Sequence, residues 1–131
     1  MKTKKMIMAA LAAGLGALLG AAQIHAQSGG FRFFGPLGRV ITPNGDNVND
    51  RLFIYFDNFS DSGVSGKIYT LLGAEVASMN HVRGALPSGA FPQQHATWDG
   101  TANGSYVRSG MYVYRIEAEG KTYAGTLLVV R

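Results

Sequence analysis

The stretch Thr42 to Asp50, TPNGDNVND, holds the densest set of side chains able to do chemistry: three asparagines and two aspartates around one apolar residue, Val48. Asn44, Asp46 and Asp50, with the main-chain carbonyl of Val48, offer oxygen donors at every second residue. A loop that curls round one ion with such donors is a calcium site of the weak extracellular kind, with dissociation constants of about 10⁻⁴ to 10⁻³ M. The helix-loop-helix calcium pattern is excluded by position. Counted from Asn44, the fifth residue is Val48, the sixth, which should be glycine, is Asn49, and the twelfth, which should be a bidentate glutamate, is Tyr55. The same residues also read as a turn without any ion: Pro43 presets φ, Gly45 accepts a positive φ, the Asx side chains cap neighbouring amides, and Val48 points inward as an apolar peg. Both readings stand at this point.

Acid–base and nucleophilic chemistry finds little support. His81 and His95 lie between Asn80 and Ala96, where Gly84, Pro87, Gly89 and Pro92 interrupt any regular element, so the stretch reads as a long loop with two solvated histidines. Neither has a Gly-x-Ser-x-Gly elbow or a cysteine to activate, and two histidines without nearby acids are a poor zinc set. Asp46, Asp50 and Asp99 could supply the paired carboxylates of glycoside hydrolysis, but each adjoins Asn or Gly in a turn, where carboxylates cap amides. Gly104 and Gly110 precede a strand rather than a helix, so they form no phosphate loop. The expectation is a protein that is not an enzyme and has no cofactor, calcium in the 42–50 loop being the one alternative.

The elements that must carry these residues begin with a leader. Met1-Lys2-Thr3-Lys4-Lys5 is followed by an uncharged run from Met6 to Ile24 and by His25-Ala26, the basic start, apolar middle and small final residue of a cleavable signal helix over residues 1–26. Gly14, Gly16, Gly20 and many alanines keep the run weakly hydrophobic, and no basic cluster follows Ile24 to stop transfer, so no membrane span is expected once the leader is removed. No cysteine is present to carry a lipid or a disulfide. Residues 27–38, QSGGFRFFGPLG, read as a linker whose phenylalanines fold back on the domain edge, with an exposed docking segment as the alternative, and 39–131 as one domain. Behind the leader nine scattered basic residues face eight acids, a net charge of about +1 that leaves no footprint for nucleic acid. About 105 residues suffice for one domain that buries roughly two thirds of its unfolded surface.

Within that domain, short β-rich runs alternate with turn signals, as in an all-β sandwich. Val40-Ile41-Thr42 ends one strand. Leu52 to Phe56 makes a second, with Leu52, Ile54 and Phe56 on one face. A polar loop over 57–66 leads to Lys67–Thr70, and a turn at Leu71–Ala74 leads to Glu75–Met79. Met111–Ala118 sets Tyr112, Tyr114 and Ile116 against Val113, Arg115 and Glu117, then turns at Glu119-Gly120 into Thr122–Val130, a hairpin of two long strands. The single tryptophan, Trp98, is expected as the large filler between the sheets, with Asp99 tying the following turn before Asn103-Gly104. Asn58-Phe59-Ser60 and Asn103-Gly104-Ser105 fit a glycosylation triplet, a pattern too short to carry weight.

Taken in order, ITPNGDNVNDRLFI, KIYTLLGAEVASM, WDG and VRSGMYVYRIEAEGKTYAGTLLVVR resemble the gliding-motility-associated C-terminal domain, the type B sorting domain of type IX secretion, and the related immunoglobulin-like domain of hook-capping proteins. The resemblance runs from about Val40 to Arg131. It implies an immunoglobulin-like antiparallel β-sandwich of about seven strands with no chemistry of its own, recognised by outer-membrane secretion or surface machinery. It departs in having only a leader and linker ahead of the module, which leaves a small surface protein that is its own cargo, a periplasmic partner or assembly factor, a gene fragment, or a scaffold. The closing run Leu127–Arg131 suits an address read at the end of the chain, or a strand whose edge Arg131 blunts. The expected place is the cell surface or the medium by way of the signal peptide, with a protein partner. The alternative is a periplasmic or extracellular scaffold with a calcium-stabilised loop.

Overall fold

A computed structural model describes residues 30–83 and 93–131. The leader expected over 1–26, the start of the expected linker and part of the expected long loop lie outside these residues. Eleven strands are described: β1 (Phe31–Pro36), β2 (Val40–Ile41), β3 (Leu52–Asn58), β4 (Val64–Thr70), β5 (Glu75–Ser78), β6 (Asn80–Val82), β7 (Gln93–Trp98), β8 (Thr101–Ala102), β9 (Ser105–Tyr106), β10 (Gly110–Ala118) and β11 (Lys121–Val129). Those of four residues or more are seven, the number expected: β1, β3, β4, β5, β7, β10 and β11. One sheet has the order β1-β3-β7-β6 and the other β2-β11-β10-β4-β5, with β8-β9 as a small separate ribbon. Every pairing is antiparallel except β2 on β11.

The two sheets face each other because period-two alternation gives each an apolar side. Leu52, Ile54 and Phe56 of β3 are buried with Ala96 and Trp98 of β7, and against them lie Ile68, Tyr112, Tyr114, Ile116, Leu127 and Val129 of the second sheet. The long hairpin has the turn expected of it. Glu119 and Gly120 both take positive φ, 50° and 72°, and join nine paired residues on each side. A two-residue turn with both φ positive matches the right-handed twist of the strands.

Two expectations are corrected. The linker ending at Gly38 contains β1, an edge strand paired to β3. Phe31 packs on Phe56 with ring centroids 4.9 Å apart and Phe33 stacks on Tyr123 at 4.6 Å, so the phenylalanines fold back as foreseen but within a ladder. The register shifts between Phe33 and Gly35, where Gly35 has φ 103°, and this bulge with Pro36 masked the alternation. The expected long loop over 80–96 contains β6 and most of β7. His81 and His95 therefore stand on neighbouring strands and are half-buried, not solvated. Asn58 and Gln94, both in phase with apolar core positions, are buried and bonded to each other at 3.0 Å, and Gln94 Oε1 also meets His81 Nε2 at 2.6 Å. These polar residues hide the strands from a hydrophobic pattern.

One close approach supplies a test. Gly125 pairs with Tyr114, and a Cβ built there would sit 2.5 Å from Tyr114 Cζ and 2.8 Å from Cε1. Tyr114 is buried and cannot swing aside cheaply. Gly125→Ala is expected to lower the unfolding free energy by about 1–3 kcal/mol through overpacking, read as a lower urea midpoint. Unchanged stability would show that the ring does not cover Gly125.

Candidate functional site

The loop joining β2 to β3 is built around Asp50. Its Oδ1 accepts the amides of Asn44 and Gly45 at 2.9 and 3.1 Å, and its Oδ2 accepts the amide of Asn47 at 2.6 Å. Asn44 Oδ1 accepts the Asp46 amide at 3.0 Å, and Asp46 Oδ1 accepts the Val48 amide at 2.8 Å. The Val48 carbonyl takes the Thr42 hydroxyl at 3.2 Å, and the Thr42 amide closes the loop on the Asn49 carbonyl at 2.7 Å. Gly45, Asn47 and Asn49 have φ of 83°, 63° and 54°, a conformation that glycine and asparagine adopt most readily. All four residues considered as calcium ligands thus come together, and an oxygen of each accepts a bond from within the loop.

Val48 differs from the expectation. It is 61% exposed and no inward peg. Pro43 does that work: it is buried, and a Cβ on Gly100 would come within 2.9 Å of its Cγ, so the base of the loop is pressed on the turn after Trp98.

Three amides on one carboxylate favour its charged form. The Asn44 amide, with those of Asn47 and Gly45 and the nearby Arg51, holds the Asp50 carboxyl below its ordinary value of 3.8. A depressed folded-state value means stabilisation that is present above the unfolded value and lost as pH falls through the folded one. Asp50→Asn turns one acceptor into an NH₂ group facing an amide, so a clear drop in melting temperature is expected at pH 7. The gap to the parent should narrow as pH falls below the ordinary carboxylate value and through the lower folded-state one, and a gap constant with pH would contradict the role of the charge.

A cleft of about 560 Å³ opens beside the loop, within the size range of ligand pockets. Leu37, Val40, Pro43, Phe53 and Tyr106 line its apolar side, and Asn47, Asn49, Asp50, Arg51 and Asp99 its polar side. Leu37 is 78% exposed, and the Arg131 guanidinium sits 4.9 Å from the Tyr106 ring centre. Of the three aspartates considered for catalysis, Asp50 and Asp99 reach this cleft and Asp46 does not line it. Asp99 Oδ1 accepts the Thr101 hydroxyl at 2.6 Å and the Thr101 amide at 3.0 Å, as expected of a turn-tying residue, and the hydroxyl bond leads in holding its carboxyl low. Glycoside hydrolysis needs one carboxyl raised to keep a proton near neutrality. Here both are held low.

The histidines lie on other strands. Burial pushes His95 down, with His81 adding to the effect, while His81 belongs to the Gln94–Asn58 network, which reaches Asp61 and through it Arg83, each bond 3.1 Å. Sequence reasoning missed Arg51, Phe53 and Tyr106 as companions of the loop. Only Arg51 carried a local signal, by adjoining Asp50.

The fold and site are those of an all-β sandwich with a half-apolar cleft at one end, where Asp50 and Asp99 each accept amides of their own turns. The model of the type IX secretion signal domain family, CHU_C, matches residues 36–129, and the chain belongs to that family. No curated protein and no solved structure matches the chain. Membership makes this a sorting module, with export to the cell surface or the medium. No helix among the described residues is long and apolar enough to cross a membrane.

Proposed function

We propose that the folded sandwich is itself the address, recognised as a surface by a protein of the secretion or attachment machinery, and that a cleaved leader over 1–26 first takes the chain across the inner membrane. The observation that supports this most is the extent of the family match, 36–129, which runs from the last residue of β1 to the last residue of β11. A signal of that span is a fold and not a short linear tag. Cells producing the native chain should display it to external protease or release it, with Gln27 as its first residue. Retention between the membranes would favour a periplasmic scaffold role instead.

For the 42–50 loop, the turn reading has the stronger support, because an ion seated there must share oxygens already engaged by amides, whereas calcium takes six to eight oxygens. Excess calcium is expected to leave the melting midpoint of the purified protein unchanged. A midpoint that rises with calcium concentration, as ligand binding to the folded state requires, would establish the metal site at Asn44, Asp46, Val48 and Asp50.

A further inference from the structure

Two Asn-Gly steps occur in the chain, Asn44–Gly45 and Asn103–Gly104. In such a step the glycine has no Cβ to shield its amide nitrogen, which can attack the asparagine side chain. The structure treats the two steps differently. At the first, the Gly45 amide donates to Asp50 Oδ1 at 3.1 Å and the Asn44 side chain is tied to the Asp46 amide at 3.0 Å. The carboxylate also opposes loss of the Gly45 amide proton, which must precede attack. Nucleophile and target are both held.

The second step has no such restraint. Asn103 and Gly104 form the exposed tip of the β8–β9 ribbon, with φ of 53° and 81°. No other described residue bonds the Asn103 side chain. The ladder beneath the tip is two pairs long, Thr101 with Tyr106 and Ala102 with Ser105, followed by one bond from the Val107 amide to the Gly100 carbonyl at 2.9 Å. Thr101 at the base is tied to Trp98 and Asp99, but beyond it the tip has only these ladder bonds, and exposed backbone so held opens locally more readily than the sheets.

We propose that Asn103 is a site of spontaneous deamidation that alters the cleft wall as the exported protein ages. Hydroxide removes the Gly104 amide proton, the nitrogen attacks Asn103 Cγ, a C–N bond forms, and the side-chain nitrogen leaves as ammonia. Water then opens the five-membered imide. Attack at the former side-chain carbonyl gives aspartate, and attack at the main-chain carbonyl gives isoaspartate, whose backbone carries an extra methylene. A two-residue turn cannot absorb that methylene and keep its register. The strand displaced is β9, whose Tyr106 lines the cleft.

Trypsin separates the two steps, since Val40–Arg51 carries Asn44 and Gly84–Arg108 carries Asn103 as its sole asparagine. The purified full chain would be aged in neutral and in mildly alkaline buffer, folded and in concentrated urea, and then digested and mass-mapped. In the folded chain, Gly84–Arg108 should gain one mass unit and split into aspartate and isoaspartate forms several-fold faster than Val40–Arg51 changes, and faster still at the higher pH. Urea should bring the two rates together. Equal rates in the folded chain, loss at Asn44 first, or an Asn103 that persists while the unfolded chain converts would each overturn the proposal.

Discussion

A chain lacking Thr122 to Arg131 is expected neither to fold nor to leave the cell. β11 lies within its sheet, pairing along nine residues with β10 on one side and at two residues with β2 on the other. It supplies Leu127 and Val129, which are 1% and 0% exposed, and Tyr123, on which Phe31 and Phe33 rest. Truncating one buried aliphatic side chain costs about 2–5 kcal/mol, and a domain of this kind has only about 5–15 kcal/mol in total. The deletion removes two such residues together with a ladder, and it bares β10 as a long edge prone to aggregation. Circular dichroism should show a lost β signal, and fractionation should find no exported protein. The point variant Leu127→Ala should be weakened by about 2–5 kcal/mol and exported in proportion to its folded fraction. Normal export of the deleted form would mean that the address is not the folded unit.

Trp98→Ala should come close to unfolding the protein by a different route. The indole is 3% exposed, lies 6.0 Å from the Tyr112 ring centre, and donates from Nε1 to the Thr101 carbonyl at 2.9 Å. Removing it leaves a large void between the sheets, a loss of about 3–5 kcal/mol. Trp98→Phe separates packing from hydrogen bonding, because it refills most of the space and leaves the Thr101 carbonyl without its donor, at about 1–3 kcal/mol. Chemical unfolding followed by circular dichroism should rank parent, Phe and Ala in that order. An Ala variant as stable as the parent would remove the indole from the core.

How far each element could be read in advance depended on what shaped it. β3, β10 and β11 were legible because their alternation is set by the backbone pleat alone and ended by turn residues of the right chemistry, Glu119-Gly120 above all. β1, β6 and β7 were not, since their residues are strand-forming only beside a partner. Asn58, His81 and Gln94 satisfy one another across strands, and Gly35 with Pro36 breaks the phase of β1. The candidate site divided the same way. Composition marked 42–50 as a turn or an ion loop, but Asp50 as the shared acceptor of three amides, and Val48 as exposed, follow from how the loop closes on Asn49 and on the Trp98 turn.

The sequence by itself determined the all-β class, the terminal hairpin, the tryptophan between the sheets and the family, because each rests on local sterics, on burial of a costly side chain or on ordered short motifs. The tertiary structure alone decided which strands lie at the edges and that Leu37, Asp50, Asp99 and Tyr106 share one cleft. Contacts between residues so far apart along the chain are set by strand pairing and sheet packing, which close only when the whole sandwich does.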